Sequence, residues 1–125
     1  MSIFDKQAAF LSAGDVQFPA DDIKGDGLNL AISLIVEEFD EWKAEYPGTP
    51  NDFKECIDLI YVCAQYMNQA VGPDVAQQLF DAVHADNMNK CVDGKLRKGP
   101  SGKILKPDGY EKLWKPKFDK ILGEL

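Results

Sequence analysis

The chain contains one histidine, His84, three cysteines, and no apolar run approaching the ~18 residues that a membrane span requires. Each shortage removes a class of function. A di-iron carboxylate bundle needs two Glu-x-x-His motifs, and the single histidine has no Glu three residues before it. Cys56, Cys63 and Cys91 are odd in number, form no Cys-x-x-Cys pair, and two of them fall inside an apolar helical pattern, so they read as reduced thiols in a cytoplasmic compartment. The opening MSIFDKQAAF has neither a basic n-region nor a long apolar stretch, which adds to the expectation of a soluble, intracellular protein with no membrane partner. Positive charge is also short: 14 Lys and Arg against 21 Asp and Glu leave a net charge of −7. That balance argues against a nucleic-acid partner, because backbone binding needs clustered cations to displace counterions. A small phosphorylated ligand stays open if metal ions stand between the acids and the phosphates.

What is present is an ordinary globular balance, 45% hydrophobic and 28% charged over 125 residues, enough for one core and one domain spanning 1–125. Breakers divide it into four helical segments and a tail. The first, about Ile3 to Ala13, spaces Phe4, Ala8 and Leu11 on one face and stops near Gly14. Residues 15–25 read as loop. The second opens at Asp26, read as an N-cap, and carries Leu28, Ala31, Ile35, Phe39, Trp42 and Tyr46 at steps of three and four until Pro47 and Gly48. Thr49 as cap, Pro50 at the first helical position and Asp52 three residues after the cap start the third, whose stripe of Phe53, Ile57, Ile60, Ala64, Met67 and Val71 runs to Gly72 and Pro73. The fourth, near Asp74 to Asn89, packs through Val75, Leu79, Ala82 and Val83. Beyond it lies a tail rich in Lys, Gly and Pro, with a short hairpin around GPSG and a weak terminal helix. The expected fold is all-α: a four-helix bundle over about 3–90 with a basic, loop-rich tail over 91–125.

The acids of the second and third segments need a separate account. The break PGTP is short enough to force an antiparallel αα-hairpin, so positions can be matched by counting from the turn. Glu41 and Glu55 lie at similar distances from the apex, roughly 10 Å along each helix, and Glu38 and Asp58 match one turn further down. Each pair on one helix is spaced i,i+3 and shares a face, so four carboxylates converge. Convergence is unfavourable without a cation or a proton, and an oxygen-only ligand set suits Mg²⁺, with Mn²⁺ as the alternative. Asp40 and Glu45 read as solvated surface.

These segments resemble a known family. LIVEEFDEW followed by ECIDLIY is similar to the Glu-x-x-Glu, then Glu-x-x-Asp, signature of the all-α nucleoside triphosphate pyrophosphohydrolases, the MazG-like and phosphoribosyl-ATP pyrophosphohydrolase superfamily related to dimeric dUTPases. VHADNMNKC and DGKLRKGPSGKILKPDGY resemble the His-x-x-Asn-Met-x-Lys and Gly-Lys-x-x-Lys-Pro segments of its Cof-like subgroup, and the likeness runs from about Phe10 to Tyr110. It implies a MazG-like bundle, a homodimer or homotetramer, and hydrolysis of a nucleotide substrate between the α and β phosphates, giving a monophosphate and pyrophosphate. It also implies Mg²⁺ held by Glu38, Glu41, Glu55 and Asp58. Glu37, beside that set, is the candidate catalytic residue for orienting or deprotonating water. Asn87 and Lys90 are implied substrate contacts, and Lys103, Lys106 and Tyr110 stand where a basic loop would close on phosphates; apart from the resemblance, all read as ordinary surface residues. His84 reads as either a ligand contact or an exposed or core-satisfied histidine. The competing reading is a non-catalytic helical interaction module whose acids only keep the helices soluble.

Overall fold

A computed structural model describes residues 1–18, 20 and 23–125; of the expected loop, Pro19, Asp21 and Asp22 lie outside the described residues. The fold is all-α, with five helices and one two-stranded sheet among the described residues. No described helix is long and apolar enough to cross a membrane. The chain divides into two compact units, Met1–Ala76 and Gln77–Leu125, with the division inside the fourth helix.

The first unit is built on three helices: α1 (Ile3–Ala13), α2 (Asp26–Lys43) and α3 (Pro50–Val71), with α3 packed against both of the others. Local chemistry places their ends. Ser2 and Asp5 form a reciprocal capping box at the start of α1, the Ser2 hydroxyl accepting the Asp5 N–H and the Asp5 carboxylate accepting the Ser2 N–H. Thr49 caps α3 through its hydroxyl, Pro50 follows at the first position, and Gly72, at φ +84°, ends it in a conformation that side chains rarely adopt. The start of α2 differs from the sequence reading: Gly25 occupies the cap, makes no side-chain hydrogen bond, and leaves Asp26 inside the first turn, where its charge still complements the helix dipole.

The apolar centre of this unit is small-sided, with Phe4, Ala64 and Ala76 buried together and Met67 and Val71 packed on them. Alanine lets α1 approach α3 closely, and that approach is held by polar groups. Asn68 and Gln7 are fully buried; the Asn68 amide donates to the Phe4 carbonyl at 3.0 Å and to Gln7 Oε1 at 2.8 Å, while Gln7 Nε2 donates to Gln65 Oε1 at 3.3 Å. Because a buried amide is costly unless its donors find partners, this network specifies how α1 sits on α3 in a way that a purely apolar seam would not. The Ala20 N–H donates to the Gln69 carbonyl at 2.6 Å, tying the intervening loop to the same end of α3.

The stripes expected to face inward are only partly covered. Leu28, Ile35 and Trp42 are half-buried, but Phe39, Tyr46, Phe53, Ile57 and Ile60 are exposed, Phe53 and Ile57 by about 60%. Tyr46 also falls outside α2, which stops at Lys43, so its place in the stripe is lost with the helix.

The second unit holds most of α4 (Pro73–Met88), two strands, β1 (Arg97–Lys98) and β2 (Ile104–Leu105), and α5 (Trp114–Gly123). Leu79 and Ala82 of α4 are buried as expected, whereas Val83 is exposed. The antiparallel strands pair Arg97 with Leu105 and Lys98 with Ile104 around GPSG, with Gly102 supplying the positive φ that the turn needs. A second, tighter hairpin absent from the sequence reading precedes it: Val92 and Lys95 exchange both backbone hydrogen bonds across Asp93 and Gly94, which both have positive φ. Asp-Gly is the dipeptide such a two-residue turn favours. In α5, Trp114 and Phe118 pack edge to face at 5.1 Å.

Candidate functional site

The acidic site begins at the turn between α2 and α3. Asp52 does more than neutralise the start of α3. Its Oδ1 accepts the Trp42 indole N–H at 2.8 Å and its Oδ2 accepts the Gly48 N–H at 2.8 Å. One carboxylate therefore joins the end of α2, the turn and the start of α3, and fixes the register in which the two helices run back along each other. Three residues after Asp52, α3 presents Glu55, and three further on Asp58; from α2, Glu38 reaches the same place. One carboxylate oxygen from each of Glu38, Glu55 and Asp58 lies within 4.8 Å of the others, and all three residues are half-buried.

In two of these residues a carboxylate oxygen, Glu38 Oε2 and Glu55 Oε2, is buried with no hydrogen-bond partner. The electrostatic consequence falls on Glu38. Burial pushes its carboxyl above the ordinary Glu range, and repulsion and hydrogen bonding from Glu41, then repulsion from Asp58 and Glu55, push in the same direction. Glu41 itself is exposed: it stands beside Glu38 but outside the trio whose oxygens gather. The Glu37 side chain faces solvent and makes no hydrogen bond or ion pair among the described residues. Of the five acids singled out from the sequence, three gather, one sits at the edge of the cluster and one stands apart.

The cluster carries a counterion that the sequence reading passed over. Lys54 Nζ lies 2.5 Å from Asp58 Oδ2 and 3.7 Å from Glu55 Oε1, and these bonds, the one to Asp58 first, raise the lysine pKa. The i,i+4 spacing of Lys54 and Asp58 was a readable signal for this pair. Because Lys54 remains largely exposed, it neutralises the rim of the cluster and leaves the two buried oxygens unpartnered.

In the second unit, four of the sequence candidates gather. Lys90 Nζ donates to Asn87 Oδ1 at 2.9 Å, and Lys90 and Lys106 place their ammonium groups 6.0 Å and 5.7 Å from the centroid of the Tyr110 ring, within the range of cation–π attraction. Lys103 stands in the hairpin turn, its carbonyl accepting the Gly99 N–H at 2.8 Å and its side chain exposed. His84 is exposed. The residue that organises this group is Asp86, which the sequence reading passed over. It is buried and accepts the Tyr110 hydroxyl at 2.5 Å and the Leu113 N–H at 2.7 Å. The Tyr110 bond holds the Asp86 carboxyl below the ordinary range and the Tyr110 phenol above its own. No local periodicity could have indicated Asp86, because its partners are 24 and 27 residues away.

No protein-family model matches the chain, and no curated protein is found to be similar to it.

Proposed function

We propose that this protein is a cytoplasmic, Mg²⁺-dependent nucleotide pyrophosphohydrolase that cleaves a nucleoside triphosphate or related nucleotide between the α and β phosphates, releasing a monophosphate and pyrophosphate. The observation that carries the reading is the pair of buried, unpartnered oxygens of Glu38 and Glu55 beside Asp58. Buried carboxylate oxygens without donors are costly, and a hard divalent cation relieves both that cost and the mutual repulsion of the three acids. The donor set fits Mg²⁺ or Mn²⁺: all oxygen, anionic, and few enough to leave positions for water and phosphate. Glu38, Glu55 and Asp58 would hold the ion, with Glu41 as the adjacent fourth acid. The bound ion would neutralise phosphate charge and acidify a water.

The protein groups then have limited tasks. Glu37, exposed and next to Glu38 in the sequence, is given the role of orienting or deprotonating the attacking water. By the resemblance, Lys90, Lys103 and Lys106 would offer charge to phosphate and Asn87 would contact substrate; within the second unit the Asn87 carbonyl oxygen accepts from Lys90. This division agrees with the resemblance carried by the Glu-x-x-Glu, Glu-x-x-Asp and Asn-Met-x-Lys segments. The test is pyrophosphate release over a panel of ordinary, deoxy and damaged nucleotides with Mg²⁺, Mn²⁺ and a chelator. Turnover that needs the divalent ion supports the reading, and no release from any nucleotide overturns it.

A second reading draws on the exposed apolar residues of α2 and α3. Leu30, Ile32 and Val36 of α2 and Phe53, Ile57 and Ile60 of α3 are each about half exposed or more, an amount of apolar surface that invites coverage. Within the enzyme reading it serves assembly into a homodimer or homotetramer; in the alternative, the protein is a non-catalytic interaction module. Light scattering at micromolar concentration separates a monomer from an assembly, and the nucleotide panel separates enzyme from module.

A further inference from the structure

Lys90 and Lys106 both lie against the ring of Tyr110, and that ring is held by a buried carboxylate that makes no hydrogen bond or ion pair with either lysine. Asp86 lies on α4 at 5% exposure, and both its oxygens are engaged by the tail: Oδ2 by the Tyr110 hydroxyl and Oδ1 by the Leu113 N–H at the start of α5. The carboxylate thus acts as the N-terminal cap that α5 lacks locally, since Leu113 at the cap position makes no side-chain hydrogen bond. Tyr110 is thereby held with its hydroxyl occupied and its ring between residues of two segments: Lys90 from the end of α4 and Lys106 from just beyond β2. A ring that serves two ammonium groups must be fixed in place, and the two cations offer charge to an anion.

We propose that Asp86 is a positioning residue that, by holding Tyr110 and the start of α5 against α4, keeps Lys90 and Lys106 on one aromatic ring as a two-cation cradle for phosphate groups. The proposal rests on the nucleotide reading above and adds to it a residue that touches no phosphate. It also changes the role of Tyr110: the hydroxyl is committed to Asp86, so the residue serves as the platform for the lysines rather than as a hydrogen-bond donor to substrate. A lysine carried on a loop loses much of its effect when the loop is free, because the side chain and backbone must both be ordered on binding.

The test uses the full chain and inorganic pyrophosphate without divalent metal, followed by calorimetry or phosphorus NMR, in wild type, Asp86→Asn, Lys106→Met and the double variant. Each single change should weaken pyrophosphate binding by about tenfold, the scale of one charge-assisted contact. The double variant should be no weaker than either single one, because Lys106 contributes only when Asp86 holds the tail. Additive losses, undiminished binding in Asp86→Asn, or no binding by wild type would each overturn the proposal. Tyr110→Phe removes a single hydroxyl, should reproduce the Asp86→Asn loss, and keeps the test open if Asp86→Asn does not fold. In turnover assays the Asp86 change should raise KM with kcat nearly unchanged; a loss of thermal stability with normal pyrophosphate affinity would reduce Asp86 to a structural cap. The two readings fail separately: coupled pyrophosphate binding in a protein that hydrolyses no nucleotide leaves the cradle standing and removes the enzyme, whereas normal KM in Asp86→Asn leaves the enzyme and removes the cradle.

Discussion

The Trp42 indole and the Asp52 carboxylate meet at 2.8 Å across the turn between α2 and α3, and the second oxygen of Asp52 takes the Gly48 N–H at the same distance. This contact sets how far one helix has advanced relative to the other, and therefore which acids of α2 meet which acids of α3. Asp52→Ala leaves a half-buried indole N–H without its partner and releases the turn, at an expected cost of about 1–3 kcal/mol. Urea unfolding would read that loss, and Asp52→Asn, whose amide oxygen still accepts the indole N–H, should recover part of it. Equal stability in Asp52→Ala and wild type would remove this contact from the account of the hairpin.

Glu38 links the acidic cluster to pH. Its folded-state pKa is raised, so the native state holds a proton more tightly than the unfolded chain does, and stability falls as pH rises from the ordinary Glu range through the raised value. Metal-free protein should therefore melt higher at mildly acidic pH than at neutral pH. Saturating Mg²⁺ should reverse that slope, because the ion takes the place of the proton and binds only the native cluster. Melting curves with Mg²⁺ and with chelator across this range provide the check, and curves that superimpose at every pH would count against a cation site.

Lys54 competes with any ion that enters the cluster, since its ammonium group already lies against Asp58 and Glu55. In Lys54→Met the acids lose this tethered cation. The metal-free form should lose stability at neutral pH, while affinity for Mg²⁺ or Mn²⁺ should rise several-fold, measured by calorimetry. A fall in metal affinity would show instead that Lys54 orients the ligands.

Glu37 and Asp58 should separate by measurement. Asp58→Asn removes an anionic oxygen from the gathered trio, so metal binding and turnover should fall together. Glu37→Gln leaves the trio intact and should bind metal and nucleotide while losing turnover by roughly 100-fold, the scale of general-base removal. Turnover near wild type in Glu37→Gln would return this residue to the solvated face.

Much of the local structure was legible in the sequence because its causes are local. Thr49 and Pro50 start α3, Gly72 ends it, and Phe4, Ala8 and Leu11 are buried on one face of α1, each set by residues within one helical turn. The spacing of Glu38, Glu41, Glu55 and Asp58 was readable for the same reason: i,i+3 places each pair on one helix face whatever the rest of the chain does. Tertiary structure decided what spacing leaves free. The rotation of α2 and α3 about their axes gathers Glu38, Glu55 and Asp58, leaves Glu41 at the edge, and exposes Phe53, Ile57 and Ile60, which periodicity alone assigned to the core. Rotation is chosen by contacts that are remote in sequence, such as Asn68 with the Phe4 carbonyl 64 positions away. The same distance hides Asp86 from any local pattern: a lone acid near a helix end reads as surface until the tail folds back and supplies Tyr110 and Leu113 as its donors.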